Sequence, residues 1–221
     1  MNKKLLVILM VVALSLSACS AVANGLNIVR GSGNVTSETR NIGGVTSLEL
    51  SGAANVDITF GEEESLVVEA EDNIVPLIET EVENGRLVIG TKSNTSYSNT
   101  RPVTVHVTLK SLEAVSLSGS GSITVQNFQG ETIRVDLSGS GDINVSGTAD
   151  SADLTLGGSG KINGEQFKAD SVKVSVDGSG DARVYASEQL DAEVGGSGQH
   201  PVQWQPRAGQ QECKRFGQHH L

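Results

Sequence analysis

The sequence predicts an all-β fold, a parallel β-helix with coils of about twenty residues, on three observations. Gly-Ser-Gly recurs with its first glycine at Gly119, Gly139, Gly158, Gly178 and Gly196, at intervals of 20, 19, 20 and 18. Apolar residues occupy fixed offsets around each corner. Two before it stand Leu117, Leu137, Leu156, Val176 and Val194, and four after it stand Ile123, Ile143, Ile162 and Ala182. Polar residues such as Ser116, Asp136, Thr124 and Asn144 fall between them, giving the two-residue period of strands with one buried face. Glycine suits corners where backbones approach closely, and one coil advances the stack by a single inter-strand spacing of about 4.8 Å. An antiparallel sandwich or barrel is the alternative. Identical corners at one offset favour the solenoid.

The chain opens with Lys3 and Lys4, an apolar run from Leu5 to Leu14, and Leu16-Ser17-Ala18-Cys19. A basic start, a short apolar stretch and small residues before a cut describe an export signal over residues 1–18, too short for a comfortable membrane span. Leu-Ser-Ala-Cys resembles the bacterial lipobox, which makes Cys19 the acylated first residue and 19–32 a tether. Ser20 follows where an aspartate would favour inner-membrane retention, so an outer-membrane address is expected in a Gram-negative source. Gly31-Ser32-Gly33, with Val35 at the expected offset, reads as a degenerate cap. Leu48–Ile58 is an earlier copy of the repeat, with Ala53-Ala54 in place of Ser-Gly. Strands are expected at Leu66–Ala70, Arg86–Ile89 and Val103–Leu109, and Asn84-Gly85 is a tight-turn signal. Asp72–Thr80 is the one helical candidate, kept short by Pro76, and Asn94–Pro102 reads as an exposed loop.

After Gly198 the pattern stops. His200 stands where isoleucines or alanine stood before, and residues 200–221 hold the single Trp, Trp204, and the second cysteine, Cys213. Back-translation read one nucleotide forward permits IRYSGNPEQVNKSVNGSGSIT, which restores the apolar residue and produces a further Gly-Ser-Gly at the repeat spacing. The tail is therefore read as a frameshift product, with a natural cap on the last coil as the alternative. In that reading His219-His220 carries no metal meaning. A pair lacks a third ligand in any case.

Composition narrows the function. With 26 acidic against 16 basic residues the charge is −10, and −12 once Lys3 and Lys4 leave with the signal, which opposes nucleic-acid binding. Aromatic residues at 3% leave no stacking platform for bases or sugars. With Cys19 acylated, Cys213 has no disulfide partner, and no cofactor is implied.

Four residues form a candidate ligand face: Asp142, Lys161 and Asp181, each directly after a Gly-Ser-Gly, and Arg183. Gly158-Ser159-Gly160-Lys161-Ile162 has a Gly-Lys but lacks the hydroxyl residue and opening glycine of a phosphate loop. A calcium β-roll needs a carboxylate in turn after turn to supply 6–8 oxygens, and Lys161 sits between the two aspartates, so no metal site is expected. Carboxylates beside Lys and Arg on one face are the equipment of polysaccharide-active β-helix enzymes, although no aromatic platform accompanies them. A solvated ladder of opposite charges, contributing ~0–1 kcal/mol per exposed pair, accounts for the same residues. His106, within Val103–Leu109, is an outward alternate rather than part of a catalytic triad.

Leu48–Ile58, Glu83-Asn84-Gly85-Arg86-Leu87-Val88-Ile89-Gly90, Val103–Leu109 and the Gly-Ser-Gly repeats, in that order, resemble the GIN domain, also called the "putative auto-transporter adhesin" head domain, across residues 33–199. The resemblance implies a right-handed parallel β-helix on a secreted or lipid-anchored bacterial protein, and it implies no catalytic residue set. The functional expectation is a non-catalytic, lipid-anchored envelope protein with an adhesion, surface-binding or scaffolding role. Its partners are the membrane, through the lipid, and envelope or host glycans or proteins. A polysaccharide-active enzyme is the alternative. Cys19→Ala should leave a soluble or uncleaved precursor without acylation. Fractionation with labelled fatty acid checks this, and unchanged labelling of the variant refutes the assignment.

Overall fold

Alternating apolar residues put one face of nearly every strand into a single core. The computed structural model describes residues 27–195, with the backbone of 202–204 and 213–216. The strands are β1 (Asn27–Arg30), β2 (Val35–Arg40), β3 (Ser47–Leu50), β4 (Asn55–Phe60), β5 (Ser65–Glu71), β6 (Ile78–Glu83), β7 (Arg86–Thr91), β8 (Thr95–Ser98), β9 (Thr104–Leu109) and β10 (Ala114–Leu117). Four long strands follow, β11 (Ser122–Leu137), β12 (Asp142–Leu156), β13 (Lys161–Val176) and β14 (Asp181–Val194), then β15 (Val202–Trp204) and β16 (Cys213–Phe216). Among the described residues there is no α-helix. All strands but β1 and β8 share one curled, 14-stranded sheet.

The repeats stack as their spacing predicts. Strands β10 to β14 run parallel, each paired with its equivalent one repeat away: Leu117 with Leu137, Leu137 with Leu156, Leu156 with Val176. These four side chains are buried, as are Ile123, Ile143, Ile162 and Ala182 on the other arm of each coil. The early copy in Leu48–Ile58 joins the same stack, Leu50 pairing with Leu117 and Val56 with Ile123. The corners lie directly on one another. Ser140 N–H donates to the Gly119 carbonyl, Ser159 to Gly139 and Ser179 to Gly158, each at 3.1 Å. A Cβ on Gly139 would overlap the Gly119 carbonyl oxygen, and one on Gly158 that of Gly139, so these positions admit no side chain.

Each long strand bends between its two arms, and an aromatic file fills the bend. Phe60 meets Phe128 edge-on at 5.8 Å, and Phe128 meets Phe167 at 6.2 Å. Phe128 and Phe167 are buried, within the range of favourable aromatic pairing. Gly147 pairs between them in register, at φ 123°, where a Cβ would overlap the Phe128 backbone.

The sheet is mixed, which corrects the expectation of parallel strands throughout residues 33–199. Pairs β2–β5, β5–β9 and β6–β7 are antiparallel. The reason is local. Asn84 and Gly85 both take positive φ, 51° and 80°, and a two-residue turn of that kind can only join antiparallel neighbours. Strands were expected, and are found, at Leu66–Ala70, Arg86–Ile89 and Val103–Leu109. The helical candidate reduces to a 3-10 turn at Val75–Leu77 with Pro76 in its first turn. Two further expectations fail. Val35 is 49% exposed and begins an antiparallel strand, so the Gly31–Gly33 segment does not repeat the stacked corner. Residues 95–98 form β8 instead of loop, because β1 supplies a parallel partner from Asn27↔Thr95 to Arg30↔Ser98. The signal segment, Cys19 and most of residues 200–221 lie outside the described residues. Val202–Trp204 and Cys213–Phe216 pair in parallel with β14.

Inward and outward positions should respond differently to substitution. Leu137→Asp places an unpaired carboxylate at a position 1% exposed and should cost about 3–5 kcal/mol. Asp136→Leu removes a pair with Arg134 at 2.8 Å between half-exposed groups and should cost at most about 1 kcal/mol. Urea melts of the two variants check the order, and equal midpoints refute the assignment.

Candidate functional site

The Gly-Ser-Gly corners at Gly119, Gly139, Gly158 and Gly178 each open a strand whose second residue points inward, so its first and third residues point out. That rule places Asp142, Lys161 and Asp181 in one outward row. Lys161 pairs in register with Asp142 on one side and Asp181 on the other. The next outward row holds Asn144, Asn163 and Arg183. All four sequence-predicted residues thus converge. With Asn144 and Asn163 they line one shallow cavity of about 150 Å³.

Asn163 donates from Nδ2 to Asn144 Oδ1 at 3.3 Å, and Asn163 Oδ1 accepts the Glu165 N–H at 3.2 Å. Arg183 Nη1 bonds Glu165 Oε1 at 2.6 Å. The expected ladder is present in register but not as contacts: neither aspartate lies within 4.0 Å of the Lys161 ammonium. An open carboxylate, ammonium and amide set of this kind can hydrogen-bond a hydroxylated or amine-bearing ligand. Asp142 is exposed and Asp181 half-buried, so neither matches the enclosed acid that protonates a leaving group. His106 is outward as expected, with Nδ1 at 3.4 Å from Asp57 Oδ2.

A second cavity, of about 670 Å³, opens on the same side of the sheet, between β2 and the segment before β9. Gly33, Asn34, Glu69, Arg101 and Thr104 are among its walls. Its loops are held by Glu71, the one buried charged residue among those described. Glu71 Oε1 accepts the Gly33 N–H at 2.7 Å and the Thr100 hydroxyl at 2.7 Å, and Oε2 accepts the Thr100 N–H at 3.0 Å. The Thr100 hydroxyl, helped by backbone donors at Thr100, Gly33 and Arg101, holds the carboxyl below its ordinary value of 4.5 against the opposing effect of burial. Around it Asn73 accepts from the Ser32 N–H at 2.9 Å and donates to the Arg30 carbonyl at 2.6 Å, while the Ser32 hydroxyl bonds Asp72. Residues 30–34 are thereby strapped to the end of β5.

Residues 44–206 match the family model described as "Putative auto-transporter adhesin, head GIN domain". The chain belongs to the GIN-domain family. Among solved structures it is similar to a putative adhesin from Bacteroides fragilis, at 20% identity and a TM-score of 0.64, covering 80% of this chain and 96% of that one. It is also similar to a putative lipid binding protein from Parabacteroides distasonis, at 19% identity and a TM-score of 0.50, covering 80% and 99%. A putative adhesin from Parabacteroides merdae gives 17%, 0.50, 81% and 95%. At these identities the GIN fold is what is shared. No curated protein matches the chain.

Cys19 lies outside the described residues, and among those described no helix is long and apolar enough to cross a membrane. Glu71, Glu165 and the Asn144–Asn163 amide pair were not singled out in the sequence. The amides carry a repeat signal, an outward Asn at the same offset in two successive coils. Glu71 carries none: the alternation of Leu66, Val68 and Ala70 assigns it to the outward set, and it is buried nonetheless.

Because folding lowers the Glu71 pKa, its stabilising effect is complete above the unfolded value and disappears as pH falls through the folded one. Glu71→Gln should therefore melt several degrees below the parent chain at pH 7, and the gap should close towards pH 3. Melting curves across that range check it. A gap independent of pH would mean that the carboxylate charge is irrelevant to the strap.

Proposed function

We propose that this GIN-domain protein is a non-catalytic, lipid-anchored component of the cell envelope. It would bind a partner across the outward face around Asp142, Lys161, Asp181 and Arg183. The observation that carries the reading is the convergence of charged and amide groups from three successive coils on one open cavity, with Lys161 and both aspartates free of ion pairs among the described residues. Backbone pairing makes the platform rigid, so binding orders little of the protein. Adhesin-labelled structural relatives and the lipobox-like Cys19 support an exported address, at the outer membrane in a Gram-negative cell. We read coils β10 to β14 as a right-handed parallel β-helix. Parallel registers one repeat apart support this, and parallel crossovers are right-handed in nearly all sheets.

A polysaccharide-active enzyme is the second reading, favoured by two carboxylates beside Lys161 and Arg183 on one face. Lipid binding, the label of the Parabacteroides distasonis relative, calls for apolar walls, whereas this cavity is lined by charged and amide groups. The discriminating experiment takes the full chain in detergent through a panel of envelope and host glycans and proteins, with turnover assays in parallel. Saturable binding without product is expected. Cleavage that disappears in Asp142→Ala or Asp181→Ala would overturn the proposal in favour of the enzyme.

A further inference from the structure

The two cavities lie at opposite ends of one row of outward side chains. The row starts at Glu69, in the wall of the larger cavity, and passes through Thr104 on β9 and Asn55 on β4. It continues through Ser122 to Asp142, Lys161 and Asp181. Seven strands contribute one residue each, with no break in register. At about 4.8 Å per inter-strand step the row is about 29 Å long. Beside it runs the parallel row of His106, Asp57, Thr124, Asn144, Asn163 and Arg183.

We infer that this row is a single binding track for a linear glycan bearing amine groups, laid across the strands from one cavity to the other. The inference rests on the surface-binding reading above and specifies its ligand. Three observations point to the occupant. First, the strands beneath the row from β5 through β9, β4, β11 and β12 to β13 are paired on both sides. No backbone edge is free along those six strands to capture a peptide as an added strand, and recognition there falls to side-chain hydroxyls, amides and charges, the complement of a polyol. Secondly, Glu69, Asp142 and Asp181 have no ion-pair partner within 4.0 Å among the described residues, against one lysine on the same row. The track is thus net negative on a protein of charge −10, which favours amine-bearing chains and repels acidic ones. Thirdly, neighbouring polar groups are already poised towards one another, Ser122 Oγ to Asn55 Oδ1 at 3.0 Å and Asn163 Nδ2 to Asn144 Oδ1 at 3.3 Å. With no aromatic side chain in the row, each sugar contributes little, and affinity must accumulate along the chain.

The test is calorimetric titration of the full chain in detergent with three probes: chitosan oligomers of two to six units, cellohexaose, and the hexamer of galacturonic acid. Chitosan affinity should rise roughly tenfold or more from dimer to hexamer. Cellohexaose should bind more weakly than the chitosan hexamer, and the galacturonate hexamer least. Asp181→Asn and Glu69→Gln, at opposite ends, should each weaken the hexamer by several-fold while leaving the melting temperature unchanged. Asp136→Asn, outward on the other arm of its coil, should leave it unaltered. Hexamer binding no tighter than dimer binding would reduce the track to a local pocket. Insensitivity to Glu69→Gln would detach the larger cavity from it, and preference for galacturonate would invert the charge assignment. Failure of all three probes overturns the track. The surface-binding reading falls separately, only if the wider panel of glycans and proteins also yields no partner.

Discussion

Backbone laid directly on backbone at the Gly-Ser-Gly corners is the constraint on which the remaining geometry depends. Where a side chain on Gly139 or Gly158 would collide with the preceding corner's carbonyl, successive coils have one way to stack, with each corner serine N–H on the glycine carbonyl below. That contact fixes the register at one repeat. A one-residue slip would turn Leu137, Leu156 and Val176 out and Asp136, Thr155 and Ser175 in. The core of leucine, isoleucine and valine supplies the driving force for collapse. The corners decide which collapsed arrangement is reached, and they align outward residues into straight rows that no single coil could form alone.

The amino-terminal half solves a different problem, the closure of the sheet's free side. A regular stack would end in an open edge that invites association with other strands. Here the chain folds back through antiparallel pairs, leaving β6 outermost on one branch of the sheet and β2 on the other. The outward residues of β6, Glu79, Glu81 and Glu83, are exposed, charges that discourage edge-to-edge pairing. Arg40 ties this closure to β2, donating to the Ile78 and Val75 carbonyls at 2.7 and 3.1 Å. Glu71 does the same for the incoming strap. A buried carboxylate is tolerated there because the Thr100 hydroxyl and three backbone N–H groups surround it, satisfying the condition under which a charge can be buried.

What could be read from the sequence follows from how local each cause is. The repeat is visible because its partners are one period apart, so Leu117, Leu137 and Leu156 announce both strand and stack. Asn84-Gly85 is visible because a turn's chemistry is confined to its own residues. The pairing of Asn27–Arg30 with Thr95–Ser98 spans the whole insert and leaves no periodic trace, and its strands are four residues each. The loop expected at Asn94–Pro102 was a fair reading of polar composition, overridden by a distant partner. Likewise Phe60, Phe128 and Phe167 are scattered singly in sequence and become one file only when the coils bend. The face of Asp142, Lys161, Asp181 and Arg183 was legible because it inherits the corner offset. Its closure by Glu165 was not, since Glu165 reaches Arg183 from the following turn of its own coil.

Separating frame from face has a consequence for function. Corner glycines and inward aliphatics are bound by packing. Outward residues carry almost no folding energy: the Arg134–Asp136 and Arg183–Glu165 pairs are more than one-quarter exposed at every member, where such pairs contribute little. The outward positions are consequently free to be chosen for what they touch. In the row Asp142–Lys161–Asp181 opposite charges are set in register yet do not meet, and these are the groups that the proposed surface-binding role would use. In that arrangement the sheet acts as a ruler, spacing outward side chains by its own hydrogen-bond ladder and setting their chemistry one residue per strand.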